Sequence, residues 1–149
     1  MNKEFVMRGQ TASGKTEVLN FSGYKPGYAY RLTEFTLYPA VNIGGTTNEL
    51  LGSVTAGKTA ITPTAPNFND EGLIATAQYR DNSNDIYQNT PSASVINDTF
   101  LVTQNLILMV QDTAGSGNAV NWQCRFVAEK MNGSEEAAAN YKQYQISDD

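Results

Sequence analysis

Histidine is absent from the chain, and cysteine occurs once, at Cys124. The first absence removes the commonest general base and transition-metal ligand. Ser-His-Asp and Cys-His catalytic arrangements and an ordinary zinc site are thereby excluded. The second rules out an intrachain disulfide. Long apolar runs are missing too: the longest, "LILMV" at 106–110, is far too short to span a bilayer. The N-terminus "MNKEFVMRGQ" lacks an apolar signal core. A soluble protein with no membrane partner is therefore expected. Charge is sparse, at 17% of residues, with a net of −5. Residues 1–60 carry six Lys/Arg against four Asp/Glu, and residues 61–149 carry four against eleven. Neither half concentrates a basic stripe, which argues against a nucleic-acid partner.

What is present is a globular composition. The 149 residues are 40% hydrophobic, enough for one domain with a real core. The polar remainder is mostly Asn, Thr, Gln, Ser and Gly, which suits turns and solvated strand faces. Period-two patterning dominates. "EFVMR" (4–8), "KTEVLNF" (15–21) and "GYAYRLTEFTLYPA" (27–40) are strand candidates. In the last, the apolar register slips by one between Leu32 and Phe35, which predicts a β-bulge. "NELLGSVTA" (48–56) reads as a strand or one helical turn. "GLIATAQYR" (72–80), "SVINDTFLV" (94–102) and "NLILMVQD" (105–112) follow; the last is apolar on both faces and belongs inside a sheet. "DTAGSGN" (112–118) reads as a hairpin loop. The clearest strand comes next, with Trp122, Cys124, Phe126 and Ala128 on one face and Asn121, Gln123 and Arg125 on the other.

Only the C-terminus reads as helical. "GSEEAAANYKQYQI" offers Ser134 as N-cap, with Glu135 and Glu136 in the first turn, where the helix dipole favours acids. Ala137, Tyr141 and Tyr144 share one face, expected to dock on the domain or on a neighbouring subunit. The predicted fold is all-β: an antiparallel, jelly-roll-like β-sandwich over 1–131, with a short C-terminal helix and acidic tail over 132–149.

One motif asks for a nucleotide. "GQTASGKT" (9–16) satisfies the phosphate-loop pattern at every required position. Such a loop needs a helix after it, yet "TEVLNFSGYKPG" alternates and then meets Gly23, Pro26 and Gly27. The same pattern recurs at 52–59, "GSVTAGKT", with Pro63 and Pro66 close behind. Both therefore read as chain that favours Gly-Lys-Thr at its turns, and Lys15 becomes a surface contact instead of a phosphate ligand.

The remaining constellations are weaker. Asp81, Ser83 and Asp85 have the spacing of a calcium loop, but Ile86 and Ser92 stand where Gly and the bidentate Glu are required. Asp70, Glu71, Asp98 and Asp112 add carboxylates, which glycoside hydrolysis could use without histidine, but nothing pairs them across a cleft. No catalytic residue, cofactor or metal is expected. Trp122 reads as a core anchor. Tyr24, Tyr28, Tyr30 and Tyr38 read mostly as strand packing, with Tyr141 and Tyr144 suited to an interface.

The runs "EFVMRGQTASGKTEVLNFSGYKPGYAYRLTEFTLYPA" and "INDTFLVTQNLILMVQDTAGSGNAVNWQCRFVAEKM" together resemble the small virion proteins of marine tailed bacteriophages, cyanophages included. That resemblance implies a capsid decoration or cement protein. It would be a homo-oligomer, a trimer by analogy, seated on the outer capsid surface with the major capsid protein as partner. Ala137, Tyr141, Tyr144 and Lys15 are then the candidate interface residues. The alternative reading is a carbohydrate- or receptor-binding module of a fibre or tail, using exposed loop aromatics such as Tyr79 or Tyr87.

Overall fold

The computed structural model describes residues 3–21, 27–41, 47–57, 59–81, 92–114 and 117–148. Eight strands precede one helix: β1 (Lys3–Thr11), β2 (Thr16–Leu19), β3 (Tyr28–Pro39), β4 (Asn48–Thr55), β5 (Leu73–Asp81), β6 (Ser92–Ile96), β7 (Leu106–Asp112), β8 (Val120–Lys130) and α1 (Gly133–Asp148). They form two antiparallel sheets, one ordered β1-β8-β3 and the other β2-β7-β4-β5-β6. First pairs with last, second with seventh and fourth with fifth. Third meets the chain just beyond the sixth, where Tyr30 and Val102 exchange backbone hydrogen bonds of 2.9 and 2.8 Å. This nested pairing, a long ribbon wrapped into two layers, is the jelly roll.

The alternation read from sequence sets the core. Leu32, Phe35, Leu37, Trp122, Cys124 and Phe126 line the inner face of the three-stranded sheet. They meet Leu50, Val54, Leu106, Leu108 and Val110 from the other sheet. Phe5, Phe21, Tyr30 and Phe126 close one end as an aromatic cluster, with Phe21 and Phe126 edge-to-face at 5.1 Å. Such pairs add to plain area burial because ring edges meet ring faces. Trp122 is an anchor as expected, and its indole N–H donates to the buried Thr11 hydroxyl at 2.9 Å. The bulge also falls where the pattern slips: β3 shifts register against β8 between Leu32 and Glu34.

Gly52 shows how closely the layers approach. It lies on β4, facing the opposite sheet, and a Cβ there would stand 2.9 Å from Phe35 Cζ and 3.1 Å from Leu37 Cδ2. The stretch 48–56 is thus a strand, and a side chain at Gly52 would occupy space these two residues fill.

Three expectations are corrected. "DTAGSGN" is no hairpin loop: β7 pairs with β2 and β4, while β8 pairs with β1 and β3, so the segment crosses between sheets. Both strands already have neighbours on each side and have no edge to offer one another. The run 94–102 is not one strand. Asn97 breaks it, its Oδ1 accepting from the Thr99 amide and hydroxyl, and the chain bends from β6 toward β3. Finally, the helix is capped by Asn132 rather than Ser134. The Asn132 carbonyl accepts from Glu136 N at 3.0 Å and its Oδ1 from Glu135 N at 2.8 Å. The helix begins one residue after the asparagine, which leaves Ser134 inside the first turn.

Candidate binding surfaces

The glycine-lysine motif is spent on the fold. After β1, residues 12–15 turn the chain from one sheet to the other, with Gly14 at φ 79°. Gly14 N donates to Val110 O at 2.8 Å and Lys15 N to Ala12 O at 3.1 Å. The Ser13 hydroxyl accepts from Asp112 N at 2.8 Å. A phosphate cradle requires free amides and a following helix; here those two amides are bonded and a strand follows. Lys15 is exposed on this turn.

The helix docks through a different face from the one expected. Ala139, Gln143 and Ile146 turn inward, spaced one and two turns apart. Ala139 packs with Ala29, Met131 and Leu101, and Ile146 packs on the main core. Gln143 is 2% exposed, and its Oε1 accepts from both the backbone N–H and the hydroxyl of Thr103. Thr103 follows the single bridge residue Val102, where the chain passes between sheets, and Gln143 supplies the acceptor for its N–H. Sequence reasoning missed Gln143 because an amide does not count toward an apolar stripe. The signal was Gln143's place four residues after Ala139 and three before Ile146. Ala137 is exposed and Tyr141 is 63% exposed, so both face outward from the docked side of the helix. Tyr144 lies on α1, with its side chain outside what the structure describes.

The other flagged residues scatter. Asp70 accepts from Gly72 N within its own turn, and Asp112 accepts from Glu49 N and Ala114 N at the end of β7. Ser83, Asp85, Ile86 and Tyr87, like Tyr24, lie outside the described residues, as does the Asp81 side chain; Ser92 begins β6. Tyr79 is not on a loop. It sits in β5, packed partly against the core, its ring centroid 5.8 Å from that of Tyr38. Among the described residues, no three His, Cys, Asp or Glu gather closely enough to hold a metal ion, and no helix is long and apolar enough to cross a membrane.

The outer face of the three-stranded sheet is polar and partly self-compensating. Arg125 on the middle strand reaches Glu34 on one side at 3.2 Å and Glu4 on the other at 3.7 Å. Arg31 pairs with Glu129 at 2.8 Å. Beyond this ladder the face holds a shallow trough of about 610 Å³, lined by Arg8, Gln10, Thr36, Tyr38, Asn121 and Gln123. The cross-strand register makes two rows of it, Arg8–Gln123–Thr36 and Gln10–Asn121–Tyr38. Asn121 is held in place, accepting from Gln10 Nε2 at 3.0 Å and donating to Pro39 O at 3.2 Å. Tyr38 is 50% exposed.

No family model and no curated protein sequence matches the chain. Among solved structures it is similar to a chain of turnip yellow mosaic virus, with TM-score 0.40 and 7% identity over 87% of this chain and 93% of that one. It is also similar to one of Desmodium yellow mottle tymovirus, with TM-score 0.38 and 9% identity over 88% and 89%. Likeness at this level carries no functional argument; the strand order defines the fold.

Proposed function

We propose that the protein is a non-enzymatic virion structural protein, a decoration or cement subunit that binds the assembled phage head as a multimer. The reading starts from the likeness of its two long strand-bearing runs to tailed-phage virion proteins. The observation that carries it is the helix: α1 fastens to its own domain through Ala139, Gln143 and Ile146, leaving Ala137 and Tyr141 outward. A small residue and a tyrosine one turn apart suit a contact that is apolar at its centre and wet at its rim. Lys15, on the turn between β1 and β2, is the second contact. The partners are other copies, three by analogy, and the major capsid protein on the outer surface. Such a subunit acts by linkage: binding only the assembled shell, it shifts assembly toward that state. The test is the mass of the purified protein followed by co-sedimentation with capsids. Multimers that pellet with capsids, and weaker pelleting by Tyr141→Ala, are expected; absence of the protein from purified particles overturns the reading.

A second reading, a carbohydrate- or receptor-binding module, is favoured by one feature, the amide-rich trough on the three-stranded sheet.

A further inference from the structure

We infer that this trough is a binding site for an acidic oligosaccharide, with Arg8 taking the ligand's carboxylate and Tyr38 stacking on a sugar ring. The inference rests on the second reading above and gives it a location and a ligand class.

Charge identifies the first contact. Of the chain's four arginines, Arg31, Arg80 and Arg125 each have a carboxylate within 4 Å: Glu129, Glu49, and the pair Glu4 and Glu34. Among the described residues, Arg8 has none, although it sits only two residues along β1 from Val6, which pairs with Arg125. A planar guanidinium suits bidentate recognition of a carboxylate. In a chain of net charge −5, an anion held here is held by this one group and not by a general basic field.

The rest of the trough specifies the ligand body. Gln10, Asn121 and Gln123 present side-chain amides, each with both donor and acceptor groups, and Thr36 adds a hydroxyl. Donor–acceptor groups fixed on a flat sheet match the paired hydroxyls of a sugar, and the bonds that hold Asn121 reduce the ordering cost on binding. The half-exposed ring of Tyr38 supplies an apolar platform for a sugar's C–H face. An acidic peptide fits less well, since the lining contains no aliphatic pocket for side chains. Nucleic acid would need a row of cations where there is one.

Geometry also sets a minimum length. Arg8 and Tyr38 lie on opposite outer strands and in adjacent rows. Two strand spacings and one two-residue step separate their Cα atoms, roughly 12 Å. A ligand that lies along the trough over both rows, from β1 to β3, is an oligosaccharide in length.

The test is titration calorimetry on the full chain with a uronic-acid tetrasaccharide, a neutral glucose tetrasaccharide of equal length, and a poly-glutamate peptide. The acidic sugar is expected to bind, more weakly at higher salt. Arg8→Ala should lower its affinity roughly tenfold or more, as the loss of a charge-assisted contact. Tyr38→Ala and Asn121→Ala should weaken both acidic and neutral sugars. Each variant's melting curve checks its fold, and Arg8→Lys, keeping charge but not the fork, should fall between wild type and alanine. Acidic-sugar binding indifferent to Arg8 and Tyr38 overturns this site while leaving carbohydrate recognition standing elsewhere on the molecule. Binding of the peptide in preference to the sugar, in an Arg8-dependent way, overturns the ligand class. Binding of no sugar overturns both the site and the reading beneath it.

Discussion

Replacing Gly52 by alanine tests the packing of the two sheets directly. The added methyl would lie 2.9 Å from Phe35 Cζ and 3.1 and 3.3 Å from the two Leu37 methyls. Phe35 and Leu37 are themselves 2% and 1% exposed, so neither has solvent to retreat into. Overpacking of this kind costs about 1–3 kcal/mol. Alanine returns about 0.4–1 kcal/mol by restricting the unfolded chain. At the middle of these ranges, about 2 against about 0.7 kcal/mol, the net expectation is destabilisation of roughly 1.3 kcal/mol, a fall in Tm of about 3–5 °C for a chain of this length. Differential scanning calorimetry measures it. The control is Gly133→Ala at the start of α1, where an added Cβ meets nothing within 4 Å and a small gain is expected. The decisive measurement is the double variant Gly52→Ala with Phe35→Leu, which removes the obstructing ring. Its cost should be less than the two single costs together, because the sites share one volume. A neutral Gly52→Ala, or strictly additive costs in the double variant, refutes the claim that these layers leave no room.

Three further perturbations follow from described contacts. Gln143→Leu leaves the buried Thr103 amide and hydroxyl without their acceptor and should cost about 2–4 kcal/mol in denaturant titration; Thr103→Val beside it should restore part of the loss. Asn132→Ala removes the helix cap and should cost about 1 kcal/mol, with faster amide exchange in the first turn of α1, whereas Ser134→Ala should change little. Burial pushes the Cys124 thiol from 9.0 up to about 12, so the unfolded chain loses this proton at lower pH than the native one. Stability linked to this thiol is therefore intact below about pH 9 and declines from there toward about pH 12. A thiol reagent at neutral pH should accordingly reach Cys124 only through opened molecules, far more slowly than in the denatured chain, which labelling kinetics with and without denaturant read out.

Local pattern made much of the fold legible. The alternation of Trp122, Cys124 and Phe126 names the inner face of β8, and the slip between Leu32 and Phe35 locates the bulge, because both are properties of one strand. What failed depends on partners. Whether "DTAGSGN" closes a hairpin or crosses between sheets is decided by which edges of β7 and β8 are already taken. The docking face of α1 eluded the apolar pattern because a buried amide, Gln143, occupies its centre, while the tyrosine that reads as apolar, Tyr141, points outward. The trough was equally hidden. Arg8, Asn121 and Tyr38 come from distant parts of the chain and become neighbours only through the register of three strands.

The nested pairing has a consequence in time. Leu51 meets Gln78 across a nearby connection, but Lys3 meets Ala128, nearly the whole chain away. The innermost pair can close early. The outermost must wait, because loop closure over so long a span costs entropy before any contact repays it. A ribosome therefore delivers β1, β2 and β3 well before β7 and β8 exist to pair with them. During that interval Phe5 and Phe21 lack Phe126, the β8 ring on which both pack. The growing chain is at its most adhesive shortly before it is finished, and its yield should depend on how quickly the last strands follow the first.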